Sequence, residues 1–446
     1  MGAIDRVRAW YPALLLAGCL LASDLAAGPK IEHWQSANGA RVLFVAAPDL
    51  PMVNVRVVFD AGSARDAALP GLADMTNDLL NEGAGPWDAD QIAQRLAEVG
   101  ARLGSGSARD MAWVSVRTLT EEVAFERTLE TLVEVLARPR FATKDLQRLR
   151  NKMQTALRLD EQKPGTLASK AFYRSLYGDH PYATPEGGTQ ASLERIDSDD
   201  VRAFHQRYYV ANNAVIAIVG AVSRQQAEQI AQRVSSGLPP GEAAEALPEV
   251  AALAAGQQIR QRFPSSQSHI LIGQPGLYRG DPDYFPLYVG NHILGGSGLV
   301  SRLSEEVREK RGLSYSVYSY FSPMRRHGPF IVGAQTQNAK AAQAMEVIRS
   351  TLQRFQQEGP SDEELTAAKQ NITGGFPLRV ASNGNIVEYL AMIGFYRLPF
   401  DYLDRFVERI NSVTREQIHD AFGRRLDLQR LITVVVGDDE AAQPEG

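Results

Sequence analysis

Three polar residues at one-turn spacing lie in the segment Gly62–Gly83. Asp74, Asn77 and Asp78 occupy positions i, i+3 and i+4, so a helix would place them on one face. Carboxylate and amide oxygens in that arrangement could bind a hard cation such as Ca²⁺ or Mg²⁺. Such ions usually need about six oxygens, however, and no further acidic cluster is adjacent. The sequence therefore favours the alternative, in which these are solvated or hydrogen-bonded polar side chains.

Other kinds of chemistry have less support in the sequence. No G-x-S-x-G turn occurs, and the single Cys, Cys19, lies in an N-terminal apolar segment. None of the seven His residues forms an i, i+4 pair, and His180 in His-Pro-Tyr is more typical of a turn than of a metal ligand. The net charge of −5 argues against a nucleic-acid partner.

The elements that must position these residues are both strands and helices. Val53–Phe59 and Trp113–Leu119 alternate apolar and polar residues, whereas Val42–Val45 is all apolar and suits a strand buried on both faces. Ala89–Val99 and Phe125–Leu136 have the helical period. Strands grouped with helices, without strict alternation, predict an α+β fold of mostly antiparallel sheets with helices on one face.

The chain repeats itself at about half its length. Ala112–Leu119 corresponds to Pro329–Gln335, and Asn212–Gly220 corresponds to Leu428–Gly437, with an offset of 217 positions from Gly220 to Gly437. Asn212–Gly220 and Leu428–Gly437 each follow a helix-like segment that begins with Glu-Arg-Ile. Several segments in the same order at one offset indicate a duplicated domain.

Composition predicts where the two copies are joined. Ser235–Gln257 is rich in Ala, Pro, Glu and Gly, which is typical of a surface linker. We therefore expect an N-terminal α+β domain at 30–236, a linker at 237–257 and a C-terminal α+β domain at 258–440.

Residues 1–27 are typical of an export signal, with Arg residues before an apolar stretch and small residues at its end. Leu16–Cys19 matches a bacterial lipobox, which makes Cys19 a candidate for lipidation. Leu25–Ala27 is the alternative, an ordinary cleavage site, and is favoured because the apolar run continues past Cys19. An uncleaved anchor is a third interpretation. We expect the folded part in the periplasm, in contact with a membrane only through a lipid anchor.

Gly62–Gly83 resembles the active-site helix of the pitrilysin/insulinase (inverzincin) family of zinc peptidases, which reads G-S-x-x-E…G-x-A-H-x-x-E-H-x-x-x-x-G. Tyr177–Gly188, Leu193–Tyr209 and Val289–Tyr320 resemble later stretches of the family in the expected order. The resemblance implies two homologous α+β halves arranged like a clam shell beside a peptide-binding chamber. Small bacterial members commonly build one chamber from two chains, each chain forming half.

The resemblance also implies a lost metal site. In the family, two His one turn apart bind Zn²⁺, the Glu beside the second His is the general base, and a Glu about 75 residues later completes the coordination. Here those positions hold Asp74, Asn77 and Asp78, and Gln154–Leu157 offers no carboxylate. The chain is therefore expected to hold no zinc and to have no catalytic residue of its own.

A second family feature is retained. An Arg late in a helix and a Tyr early in the next strand reach across the chamber in active members, and Arg308 and Tyr315 match them. Here Gly312 is predicted to end the helix, and Leu313–Phe321 to form the strand. A guanidinium and a phenol can hold a peptide carbonyl and its oxyanion. Alternatively, Arg308 is a surface charge and Tyr315 packs in the core. The turn Gly295–Gly298 either lines the chamber or is only flexible.

Three hypotheses follow for function. The first is the non-catalytic subunit of a heterodimeric zinc metallopeptidase, whose partner is a paralogue bearing H-x-x-E-H and zinc. Peptide substrates would bind partly by strand addition. The second is a peptide-binding or structural scaffold without peptidase activity. The third is an independent enzyme that uses Asp74 and Asp78 with another metal.

Overall fold

A computed structural model describes residues 30–438 of the chain. The predicted export signal and Cys19 lie outside the described residues. Within 30–438, no helix combines the length and the apolar character needed to cross a membrane.

The first half of the chain builds a six-stranded sheet with the order β1-β2-β8-β3-β7-β6. Between β3 and β6, two short strands form a separate hairpin. The strands of this half are β1 (Glu32–Gln35), β2 (Arg41–Ala46), β3 (Met52–Phe59), β4 (Gly83–Ala84), β5 (Trp87–Asp88), β6 (Arg102–Ser107), β7 (Ala112–Leu119) and β8 (Ala214–Gly220).

The second half builds a five-stranded sheet with the order β11-β12-β10-β13-β9. Its strands are β9 (Gln257–Arg262), β10 (Gln267–Pro275), β11 (Ser314–Phe321), β12 (Pro329–Gln337) and β13 (Ile432–Gly437). Strands β11 and β9 are the two edges of this sheet.

The two sheets share one topology. In the first sheet β2 runs parallel to β8, and in the second β9 runs parallel to β13, while the other neighbours are antiparallel. Strands β7 and β12 therefore occupy equivalent places, as do β8 and β13, and β1 is an addition to the first sheet. The predicted α+β class with mostly antiparallel sheets is confirmed.

The helices follow the periodicity of the sequence, and several begin at polar caps. Asp88 with Gln91 and Ser361 with Glu364 form capping boxes at two of them. The helices are α1 (Leu72–Leu79), α2 (Ala89–Ala97), α3 (Glu122–Ala137), α4 (Thr143–Asp160), α5 (Pro164–Tyr177), α6 (Gln190–Arg195), α7 (Ser198–Tyr208), α8 (Arg224–Gly237), α9 (Tyr284–Asn291), α10 (Ala341–Glu358), α11 (Asp362–Arg379), α12 (Asn383–Tyr396), α13 (Phe406–Ser412) and α14 (Arg415–Arg425).

Each half contributes one helix to the sheet of the other half. Helix α12 packs on β8, β3 and β2, and α5 packs on β13 and β10. Close approach depends on glycine: a Cβ on Gly394 of α12 would lie 2.5 Å from Cγ1 of Val215, and one on Gly273 of β10 would lie 2.9 Å from Cζ of Phe172 in α5. The face of each sheet opposite its own helices is thereby covered in part.

A buried carboxylate completes the contact between the halves. Asp110, only 3% exposed, accepts hydrogen bonds from the hydroxyls of Tyr182 (2.6 Å) and Tyr396 (2.9 Å) and from the backbone N–H of Arg325 (2.7 Å). The hydroxyl of Tyr182 also accepts from the N–H of Arg326 at 3.0 Å. Because an unpaired buried carboxylate is costly, this network favours one arrangement of the two halves.

The segment between the halves is mostly exposed and is anchored to the fold by a few contacts. Helix α8 continues to Gly237, and Leu247 is buried in an apolar cluster with residues of α5. The carbonyl of Leu247 accepts from Nε of Arg326 at 2.7 Å, and the carbonyl of Pro248 is 3.0 Å from Nε2 of His180. The burial of Leu247 thus anchors a segment that is otherwise mostly exposed.

A methyl group added to Gly394 tests the exchanged packing. Gly394→Ala should lower the free energy of unfolding by about 1–3 kcal/mol, because the new Cβ overlaps Val215 and Leu43. The matched control is Gly423→Ala in α14, where a Cβ meets no atom within 4 Å and about 0.5–1 kcal/mol should be gained. Urea denaturation measures both, and equal stability of Gly394→Ala and the unmodified protein would contradict the packing described.

Candidate functional site

Helix α1 is held in place by a carboxylate that precedes it. Both oxygens of Asp66 accept backbone hydrogen bonds, from Gly71 and from Ala73, each at 2.7 Å. Gly71 has a φ of 92° and approaches Gly188 so closely that a Cβ would lie 3.0 Å from its Cα. These contacts satisfy N–H groups at the start of the helix and fix the direction in which its polar residues point.

Asn77 is a fully buried structural amide. Its Nδ2 donates to the hydroxyl of Tyr209 at 3.1 Å and to the carbonyl of Trp113 at 3.3 Å. Its Oδ1 is buried and has no hydrogen-bond partner within the described chain. An amide that donates to core groups cannot accept a proton from water, so this position has no general base.

Asp74 and Asp78 form a partly buried acidic pair on the same helix. Burial, together with the nearby charges of Asp78 and Glu186, raises the pKa of Asp74 to about 7. Burial also raises the pKa of Asp78, while Lys152 of α4 opposes the shift in both carboxyl groups. Lys152 and Glu186 are members of this site that sequence reasoning missed, since only the folded chain brings them to α1.

The donor set of α1 does not fit zinc. Zinc in proteins is usually bound by Cys, His and carboxylate in a tetrahedron, and here no His or Cys is present at the motif positions. Within residues 30–438 no three His, Cys, Asp or Glu side chains come together as a metal site would require. At the predicted third-ligand position, the polar contact from α4 is the backbone carbonyl of Gln154, which accepts from Gln190 at 2.9 Å.

Arg308 and Tyr315 lie together in the second half. The guanidinium carbon of Arg308 is 4.5 Å from the centre of the Tyr315 ring, and Nη1 lies 3.4 Å from the Tyr315 carbonyl. Tyr315 is 83% exposed, so the alternative that it packs in the core is wrong. A cation against a ring face restricts both side chains while leaving the phenol hydroxyl in solvent.

The backbone at this pair departs from regular geometry on both sides. The predicted helix is a π-helix at Ser304–Glu309, stabilised by ion pairs of Glu306 with Lys310 (2.9 Å) and Arg311 (2.6 Å). Hydrogen bonds from those two cations lower the pKa of Glu306 to about 2. Gly312 ends the helix at a φ of 57°.

Tyr315 itself occupies a β-bulge of the edge strand β11. The pairing of β11 with β12 shifts between Ser314 and Ser316, so Tyr315 has no opposite residue. The hydroxyl of Ser314 stabilises the bulge by hydrogen bonds to the carbonyls of Ser316 and Gln335, each at 2.7 Å. Bulges at sheet edges redirect a side chain, and this one leaves Tyr315 exposed beside the π-helix.

The glycine-rich turn before the π-helix is packed rather than free. It includes a π-helical turn at His292–Gly296. A Cβ on Gly295 would lie 2.3 Å from Oγ of Ser319, and the side chains of Asn291 and Ser319 hydrogen-bond at 2.7 Å. Only Gly298, with a φ of 65° and open space around it, has the character of a flexible turn.

Comparison with known proteins agrees with these features. Residues 41–190 match the family described as insulinase (peptidase family M16), and residues 195–372 match the family described as peptidase M16 inactive domain. The chain belongs to peptidase family M16. The resemblance to the pitrilysin/insulinase family, in a form without H-x-x-E-H, is thereby confirmed.

Relatives of similar length are found in several bacteria. A crystal structure of a peptidase M16 inactive domain from Pseudomonas fluorescens is 39% identical, covers 92% of this chain and 98% of its own, and has a TM-score of 0.89. The "uncharacterized zinc protease YmxG" of Bacillus subtilis is 23% identical over 87% of this chain and 94% of that protein. The "non-peptidase homolog YmxG" of Helicobacter pylori is 24% identical over 91% and 94%.

The buried acidic pair predicts a dependence of stability on pH. The folded-state pKa of Asp74, about 7, lies above the value near 3.8 of an unperturbed Asp, so folding binds a proton between these two values. This contribution to stability is complete below about pH 4 and is lost as pH rises through about 7. Asp74→Asn removes this ionisation. The stability of the variant relative to the unmodified protein should therefore be about 2 kcal/mol greater at pH 8 than at pH 4.

Denaturation of both proteins across pH 4–8 measures this difference. Asp404→Asn, at an exposed position, is the matched control and should change stability equally at both ends of the range. A difference between Asp74→Asn and the unmodified protein that is constant with pH would contradict the buried, protonatable state of Asp74.

Proposed function

We propose that this chain is the non-catalytic, zinc-protease-like subunit of a heterodimeric periplasmic zinc metallopeptidase. Its partner is a paralogous chain that bears H-x-x-E-H and holds the zinc, and this chain supplies Arg308 and Tyr315 to the partner's active site. The observation that carries the proposal is a contrast within one molecule. The motif helix is a hydrogen-bonded part of the core, while Tyr315 is exposed and the partly buried Arg308 stacks against its ring.

The geometry of the pair suits a peptide carbonyl. Tyr315 presents its hydroxyl to solvent, and Arg308 keeps donors available beside it, although its Nε pairs with Glu309 at 3.1 Å. A phenol and a guanidinium can both donate to one oxygen as negative charge develops on it. Their stacking at 4.5 Å reduces the entropy lost when they grip a substrate.

The pair is proposed to act on the partner's site rather than on its own chain's. Among residues 30–438, no hydrogen bond, ion pair or ring contact connects Arg308 or Tyr315 with Asp74, Asn77 or Asp78. The motif helix belongs to the first half and the pair to the second. Arg308 and Tyr315 can therefore act on a substrate when a second chain brings the zinc and the general base.

Sheet edges supply the second part of substrate binding in this proposal. Strands β6 and β11 are edges of the two sheets, and each leaves backbone groups on its outer side without a strand partner. An extended peptide can pair with such an edge through its main chain. Recognition of that kind tolerates many sequences and fits a broad peptide substrate class.

Reconstitution tests the role of the pair. The chain is co-purified with an H-x-x-E-H paralogue, and kcat/KM for a fluorogenic peptide is measured. The double variant Arg308→Ala/Tyr315→Phe should lower kcat/KM by about 100-fold, mainly through kcat, because donors to the developing oxyanion are lost. Arg405→Ala, at an exposed position with local ion pairs, is the control and should leave activity unchanged.

Two outcomes would contradict the proposal. One is a pair that assembles and remains fully active with the double variant. The other is a chain that purifies as a monomer or homodimer and gives the paralogue neither a complex nor a gain in activity, as expected of a scaffold protein.

A further inference from the structure

A cavity in the C-terminal half is lined by residues that have no part in the proposed role of Arg308 and Tyr315. It encloses about 560 Å³ between α9, the π-helical turn His292–Gly296, β11 and the end of α11. Two arginines, Arg279 and Arg379, line it together with several tyrosines and glycines. Of the described residues that line the cavity, none is an Asp or Glu.

The two arginines carry charge that the described chain does not neutralise locally. Arg379 donates from Nη1 to the hydroxyl of Tyr288 at 2.8 Å, a neutral partner. Arg279 faces the ring of Tyr396 at 5.3 Å, and its buried Nε has no hydrogen-bond acceptor in residues 30–438. A buried guanidinium nitrogen is normally paired with a carboxylate or phosphate, so Arg279 has capacity for an anion, and the exposed Arg379 can approach the same anion from the edge of the cavity.

The nearby carboxylates form ion pairs with arginines of α14. Asp281 pairs through Oδ1 with Arg425 at 2.8 Å, and Asp283 pairs with Arg424 at 2.8 Å and with Arg425 at 2.6 Å. The buried Oδ2 of Asp281 has no hydrogen-bond partner within residues 30–438. No ion pair joins either acid to Arg279 or Arg379 within those residues. The local charge also shows in His292, whose pKa is lowered by burial and then by Arg379.

Two stacked tyrosine pairs provide walls for an apolar group. Tyr284 and Tyr288 stack with centroids 5.7 Å apart and planes at 13°, and Tyr318 and Tyr320 stack at 5.9 Å and 17°. The ring of Tyr318 lies over Gly333, where a Cβ would lie 2.4 Å from its hydroxyl. Hydrogen bonds between α9 and β11 through Asn291 and Ser319, described above, hold the two walls together.

We infer that this cavity binds a carboxylate carried by a peptide, with Arg279 and Arg379 holding the carboxylate and the tyrosine pairs holding the attached side chain. The carboxylate comes either from the peptide's C-terminus or from an Asp or Glu side chain. That the carrier is a peptide rests on the proposed function. Tyr315 lies on the same strand, so a peptide held at Tyr315 reaches Tyr318 within about 10 Å.

Direct binding to the isolated full chain tests the inference without any partner. Isothermal titration calorimetry uses three N-acetylated pentapeptides that end in Phe: one with a free C-terminus, one with a C-terminal amide, and an amide with an internal Glu. At least one carboxylate-bearing peptide should bind about tenfold or more tightly than the plain amide. The arm that gains affinity identifies the source of the carboxylate.

Variants link the preference to the cavity. Arg379→Gln, at an exposed position that tolerates substitution, should abolish the tenfold preference for the acid, and Tyr288→Phe should reduce it because Arg379 loses its hydrogen-bond partner. Arg158→Gln, an exposed arginine on α4, is the matched control and should retain the preference.

Three results would overturn the inference. These are equal affinities for acid and amide, a preference that Arg379→Gln leaves intact, and no binding of either acidic peptide at concentrations up to about 1 mM. None of them bears on zinc or on reconstituted hydrolysis. Failure here is therefore distinguishable from failure of the proposed subunit role.

Discussion

The exchange of two helices between the halves is the constraint on which the rest of the structure depends. Helices α5 and α12 each cover a sheet built by the other half, and buried Asp110 connects tyrosines from both halves. Separation of the halves would expose two apolar sheet faces and leave a carboxylate without partners, each at a cost of several kcal/mol. The motif helix and the Arg308/Tyr315 pair are therefore fixed on one rigid body.

The packing of α1 explains why this helix is kept although the family's H-x-x-E-H residues are absent from it. Helix α1 packs in the core of the first half, so its apolar residues remain necessary after the ligands are gone. The former base position became a buried amide bonded to Tyr209, and a lysine of α4 faces the two carboxylates. The amide at the former base position serves packing within the fold and supplies no general base.

Local patterns in the sequence predicted the elements well and their long-range contacts poorly. Alternation located β3 and β7, and the helical period located α2 and α3, because both depend on neighbouring residues. The exchange of α5 and α12, the approach of Lys152 to α1 and the burial of Leu247 depend on residues far apart in sequence. The bulge at Tyr315 could not be predicted from the sequence, because a run of Ser and Tyr residues also fits a regular strand.

We propose that the motif helix is a structural element and binds no zinc. Equilibrium dialysis of the isolated chain against buffered zinc at about 1 µM free metal tests it most directly. We predict no bound zinc above that of a variant in which Asp74 and Asp78 are both replaced by Asn. One zinc per chain in the unmodified protein, lost in that variant, would contradict the account.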